Sequence, residues 1–151
     1  MDIKSMSAVL DCGGEFNGTN RILNIPIGIL STSGDIASGK IIDITVVVDG
    51  NDKFFDMDLL FFPYNVTLES KPTDPFELSF DTMKDCNGRI QILSNDFYNI
   101  GKCSVANLFN LNMTFRFKEL CLIAVYQGDK KTVLGKNSII INMGYELGSC
   151  S

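Results

Sequence analysis

The chain has 151 residues, of which 45% are apolar and 21% charged, with a formal net charge of −5. That length suits one domain able to bury roughly 70% of its unfolded surface. An acidic balance with scattered Lys and Arg excludes a nucleic-acid footprint, which needs cations clustered on one face.

Near the N-terminus, Ser7–Leu10 and Arg21–Leu30 read as extended, separated by Cys12-Gly13-Gly14, and Pro26 makes the second segment an edge or packing arm. Residues 1–33 are therefore expected to form an irregular arm and edge strand. A sandwich over 34–151 follows, the two making one compact unit. Ile42, Ile44, Val46 and Val48 share one face with Asp43 and Thr45 opposite, the period of two of a half-buried strand. Asp49-Gly50-Asn51-Asp52 suits a tight turn. Phe54–Phe62 alternates again, with Phe55, Met57, Leu59 and Phe61 on one side and Asp56 and Asp58 on the other. These two strands predict a hairpin.

Pro63 ends that strand, and a loop runs to Pro75. Asp81 is a candidate cap for a short helical turn through Met83 and Lys84, stopped by Asn87-Gly88. Arg89–Leu93 reads as a strand with Ile90 and Ile92 facing in. Met113–Lys118 places Met113, Phe115 and Phe117 on the core. Leu120–Tyr126 is a near-continuous apolar run, expected to be central, and Ser138–Tyr145 supplies a last strand. Seven or eight short strands with at most one short helix predict an all-β, antiparallel β-sandwich of jelly-roll-like class.

The chain contains no histidine, which removes the commonest general base and metal ligand and predicts a protein that is not an enzyme. No catalytic, cofactor-binding or metal-binding residue is assigned. Asp56 and Asp58 are the formal candidates for a carboxylate pair, but carboxylates alternating with apolar residues read as the solvated side of a strand. Asp49–Asp52 fails as a calcium loop, because Lys53 and Phe54 stand at the fifth and sixth positions where an oxygen donor and glycine are needed. Gly34–Lys40 has the glycine spacing and lysine of a phosphate loop. However, Ile41 replaces the required Ser or Thr, and a β-branched run follows where a helix should start.

Cys12, Cys86, Cys103, Cys121 and Cys150 form an odd, widely spaced set with no CxxC pair, the pattern of free thiols in a reducing compartment. No apolar run approaches the roughly 20 residues of a membrane helix. Met1–Lys4 lacks the features of a secretory leader, so the sequons at Asn17, Asn65 and Asn112 read as chance. Most of the eleven Phe fall on inward faces; Phe54, Tyr64 and Tyr98 do not, and are candidate interface aromatics. The arm residues Ile3, Met6, Val9 and Leu10 and the tail residues Tyr145 and Leu147 are further candidate contacts.

The order of segments resembles a group of small structural proteins of tailed bacteriophages. They share a Gly-Asp opening to a strand, a polar turn and a strand of the form Asp-Leu-Leu-Phe-Phe. Here these are Gly34-Asp35, Asp49–Lys53 and Asp58–Phe62. An acidic loop with a short helical piece (Asp74–Asp85) and an aliphatic strand ending in Ser94-Asn95-Asp96-Phe97 extend the likeness, which covers about residues 34–147. The chain departs from those proteins in favouring Asn, Ile, Phe and Lys over Ala, Gly, Ser and Thr, a bias that points to an AT-rich genome such as those of crAss-like phages. The resemblance implies an auxiliary or decoration-type virion protein that binds the major capsid protein and other virion components in a large symmetric assembly. It implies no direct nucleic-acid or membrane contact, and a location in the capsid after folding in the reducing cytoplasm of a bacterial host. A receptor- or glycan-binding module of a fibre or tail is the alternative reading.

Overall fold

The computed structural model describes residues 3–10, 13–18, 21–22, 37–68, 71–117, 121–128 and 130–147, and among these residues the regular structure comprises twelve strands, one helical turn and one 3₁₀ turn. The strands are β1 (Ile3–Leu10), β2 (Gly14–Phe16), β3 (Arg21–Ile22), β4 (Ala37–Asp49), β5 (Met57–Phe62), β6 (Gly88–Ile92), β7 (Phe97–Ile100), β8 (Cys103–Leu108), β9 (Met113–Phe117), β10 (Cys121–Tyr126), β11 (Thr132–Leu134) and β12 (Ile139–Leu147). The helical turn α1 is Phe80–Met83, and the 3₁₀ turn is Ser94–Asp96.

All pairings are antiparallel. A six-stranded sheet runs β1-β12-β4-β8-β7, with β9 also on β4, and a four-stranded sheet runs β3-β10-β5-β6. Strands β2 and β11 form a small third sheet. Because β8 pairs with residues 44–49 of β4 and β9 with residues 37–41, they act as one strand interrupted by residues 109–112. The main strands then pair first with last and inwards from there: β1–β12, β3–β10, β4–β8/β9 and β5–β6. The links β12–β4 and β10–β5 complete the sheets. This nested order is the jelly-roll arrangement, a folded-over double Greek key. The all-β, antiparallel, sandwich-like expectation therefore holds.

The two sheets face each other across a core that includes Ile41, Ile44, Val46, Val48, Met57, Leu59, Phe61, Leu122, Tyr126, Ile139 and Ile141. A second, smaller core lies on the other side of the four-stranded sheet, where Leu60, Phe62, Val66, Cys121, Ile123 and Val125 pack with Leu68, Phe76, Leu78 and Cys86. With both faces covered, all six residues of β5 and all six of β10 are buried. That explains why Cys121–Tyr126 reads as an apolar run, and why the alternation expected of Phe54–Phe62 gives way to burial of both faces over β5. Rings bridge the sheets in a chain from Phe16 to Tyr126 (5.5 Å), Phe55 (5.3 Å), Phe97 (5.4 Å) and Phe54 (6.1 Å).

Three local expectations are corrected. The expected hairpin of Ile42–Val48 with Phe54–Phe62 does not form: β4 and β5 lie in different sheets, and residues 50–56 arch between them. Their apolar faces meet across the core instead of lying side by side. The arch is held by the fully buried Ser104, whose Oγ donates to the Gly50 carbonyl (2.7 Å) and accepts from Lys53 N (2.9 Å), and by Asp52 and Asn99, which bond each other twice at 2.9 Å. Gly50 (φ 111°) and Asp52 (φ 59°) give it the left-handed turns it needs.

Ile42 does not share the inward face. Gly144 opposes Asp43 and Tyr145 opposes Ile41, so Ile42 is the extra residue of a β-bulge and the fully buried Ile41 takes the inward position. The helical turn is capped by Ser79, whose Oγ accepts from Thr82 N at 3.2 Å, and not by Asp81, which lies inside the first turn.

Elsewhere the faces are as expected. Ile90 and Ile92 point in, Phe115 is buried with Met113 partly so, and β5 stops one residue before Pro63. The segment expected as an irregular arm contributes a paired strand to each sheet. Residues 23–36 and 148–151, and with them Pro26, Gly34-Asp35 and Cys150, lie outside the described residues, as do Cys12 and the side chain of Phe117. Ala37–Lys40, the tail of the phosphate-loop look-alike, is strand.

Candidate functional site

Side chains alternate along a strand, so the six-stranded sheet turns one face to the core and one away. On the outward face the register aligns Val9 with Ile140, Ile140 with Val47, Val47 with Val105, and Val105 with Tyr98. These five residues form one apolar rung across β1, β12, β4, β8 and β7, spanning about 19 Å at the usual strand spacing. Val9 and Ile140, neighbours at one end of the rung, are 50% and 37% exposed, and Tyr98 at the other end is 44% exposed, while Val105 beside Tyr98 is only 8% exposed.

The adjacent rung is polar and also uncharged: Ser7, Asn142, Thr45 and Asn107. The Ser7 hydroxyl donates to Asn142, Thr45 Oγ1 donates to Asn107 Oδ1 (2.8 Å), and Asn107 Nδ2 donates to the Tyr98 hydroxyl. These bonds lock the rung into one arrangement and tie it to the apolar rung through Tyr98. Charge flanks the two rungs on both sides, at the exposed Asp49 beyond Val47 and at Asp43 beyond Thr45. Asp43 Oδ1 accepts from Gly144 N (2.9 Å), a close approach that a larger residue at 144 would disturb, because an added Cβ would lie 2.5 Å from that oxygen and displace the carboxylate. Past the bulge lies an open cleft of about 460 Å³ between Lys40, Ile42, Asp43, Glu146 and the loop Phe109–Asn112, with Phe109 67% exposed. An uncharged centre with a charged rim is how protein-binding faces are built.

The candidate contacts fall in different places. Val9 and Tyr98 lie on the apolar rung, and Ile3 is exposed on the same face of β1. Met6 is half-buried on the inward side, and Leu10 is fully buried in the core, so it offers no surface. Phe54 is the exposed end of the ring chain, stacked on Phe97. Tyr64 is exposed on the segment after β5, its hydroxyl bonded to Asp85 Oδ2 at 2.8 Å. Tyr145 packs partly against the main core, and the side chain of Leu147 lies outside the described residues. Ile140 and Val47, at the middle of the rung, escaped the sequence reading. Their signal is the triplets Val46-Val47-Val48 and Ile139-Ile140-Ile141, in which one apolar residue must face outward.

No family model matches the chain, and no curated protein matches it significantly.

The two carboxylates expected on a solvated face are both engaged. Asp56 Oδ1 accepts from Ser94 N (2.7 Å) at the edge of a 250 Å³ cavity between Phe54, Asn95 and Lys130. Asp58 is only 5% exposed, because the second core covers its side of β5. Arg89 Nη2 straddles its oxygens, 2.9 Å from Oδ1 and 3.1 Å from Oδ2, and Gln127 Nε2 donates to Oδ2 at 2.9 Å. The hydrogen bonds converge on Oδ2, so Oδ1 is held by charge alone. Asp58 thereby anchors β6 and the end of β10 to β5.

Proposed function

We propose that this chain is a virion structural protein of the auxiliary or decoration type, which attaches to the major capsid protein lattice through the outward face of its six-stranded sheet. The observation that carries the reading is the pair of uncharged rungs on that sheet, the apolar one running across five strands and the polar one across four. An open sheet face of this kind buries area against another protein rather than enclosing a small substrate. The jelly-roll order and the likeness of residues 34–147 to tailed-phage structural proteins direct the reading to a capsid, since this architecture recurs in viral shells and in lectins alike.

The test is binding of the purified protein to capsids that lack it. Val47→Lys with Ile140→Lys places two charges at the centre of the rung and is expected to abolish co-sedimentation while far-UV circular dichroism stays unchanged. Undiminished binding by the double variant overturns the assignment of the face, and particles that never contain the protein overturn the capsid role. The cleft beside Phe109, with Lys40 and Glu146 on its walls, favours the second reading, a glycan-binding module. That reading requires hits on a glycan array that Phe109→Ala removes.

A further inference from the structure

Strand β1 is an edge of the six-stranded sheet: among the described residues it pairs with β12 alone, in unbroken register. Long edges are usually blunted by proline, bulges or charge, because their unpaired N–H and C=O groups recruit other strands. Here Ile3-Lys4-Ser5-Met6-Ser7-Ala8-Val9 holds no proline and a single charge. It is also close to a palindrome about Met6, with aliphatic residues at 3 and 9 and serines at 5 and 7. A two-fold contact asks for this symmetry, since residue i meets j where j meets i.

We propose that β1 pairs antiparallel with β1 of a second copy of this chain, with Met6 opposite Met6 on the two-fold axis, joining two sheets into one continuous sheet. Residues directly opposite in an antiparallel pair project to the same face, so outward positions must meet outward ones. The register centred on Met6 satisfies this. Ile3 meets Val9 of the second copy and Ser5 meets Ser7 on the outward face, while Lys4 meets Ala8 and Met6 meets Met6 on the inward face. A slip of one residue would set outward positions against inward ones, which a sheet with one buried face does not tolerate.

The exposures fit this pairing. Ile3 and Val9 are 67% and 50% exposed, large values for aliphatic residues on a strand, and the register covers both of them in each copy. No like charges oppose, because Lys4 faces Ala8 and not its own symmetry mate. The contact uses the edge of the sheet and is independent of what covers its outward face. Seven paired residues span about 20 Å, a small contact of the weak, transient class, so the range to search runs up to the highest soluble concentration.

Sedimentation velocity of the full chain across that concentration range tests it. The wild type is expected to show a monomer–dimer equilibrium. Ser5→Glu with Ser7→Glu sets carboxylates opposite each other twice and is expected to weaken the dimer by about tenfold or more. Ser5→Lys with Ser7→Glu sets a cation opposite an anion twice and is expected to restore it. Both positions are exposed, and thermal unfolding checks that each variant is folded. A wild type that stays monomeric, or two variants that associate equally, overturns the proposal.

Discussion

Asp58 shows how the surroundings of one residue change what its side chain does. On an isolated strand it is a solvated carboxylate, but here it is buried and held by Arg89 and Gln127. Arg89→Ala leaves a buried acceptor with one partner and is expected to lower stability by about 1–3 kcal/mol, read as a lower urea midpoint. The cost stays at that level because the Arg89 side chain is itself 55% exposed and screened by solvent. Tyr64 has the opposite setting, an exposed phenol donating to Asp85. That hydrogen bond first, then partial desolvation, then the carboxylate charge hold its proton above the ordinary value of 10.0. Since the folded value is the higher one, the contribution to stability is complete below pH 10 and is lost as pH rises through the raised value. The difference between spectrophotometric titrations of the wild type and of Tyr64→Phe is expected to show the Tyr64 phenol titrating above 10.0, and Asp85→Asn is expected to return it towards that value.

At the scale of elements, the arch between β4 and β5 decides the architecture, because it sends consecutive strands into opposite sheets. Ser104, contributed by β8, closes it by satisfying the Gly50 carbonyl and the Lys53 amide at once. Ser104→Ala leaves both without that partner beside a fully buried side chain. The expected loss is about 1–3 kcal/mol in equilibrium unfolding, without change in the far-UV spectrum. A strand turn closed from a third strand is hard to read locally. Gly50 and Asn51 advertise a turn, but nothing near them says whether the chain returns to the same sheet or crosses the core. The bulge at Ile42 hides in the same way. Ile41-Ile42 offers two equivalent apolar residues, and the choice between them belongs to β12, where Gly144 and Tyr145 shift the register.

For the whole molecule, β1 pairs with β12, residues 3–10 against 139–146, so the sheet closes only when the two ends of the chain meet. Pairings this distant in sequence carry the entropy of closing a long loop before any contact repays it. Refolding from urea is therefore expected in milliseconds to seconds, and stopped-flow fluorescence of the tyrosines would show it; a microsecond phase carrying the full amplitude would contradict the topology. The apolar rung has the same origin. Val9, Val47, Tyr98, Val105 and Ile140 are scattered along the chain and become neighbours only through four separate registers.

The residues by themselves determine the all-β class, most strand positions and most inward faces, because a period of two and proline or glycine punctuation are local properties of the chain. They also bring out β10 as an apolar run, though not the second core that covers the other face of β5 and β10. Only the tertiary structure decides which strand lies beside which, that Asp58 is buried and Leu10 unavailable, and that an uncharged face forms. Those outcomes depend on partners tens of residues away, and local alternation carries no information about a partner.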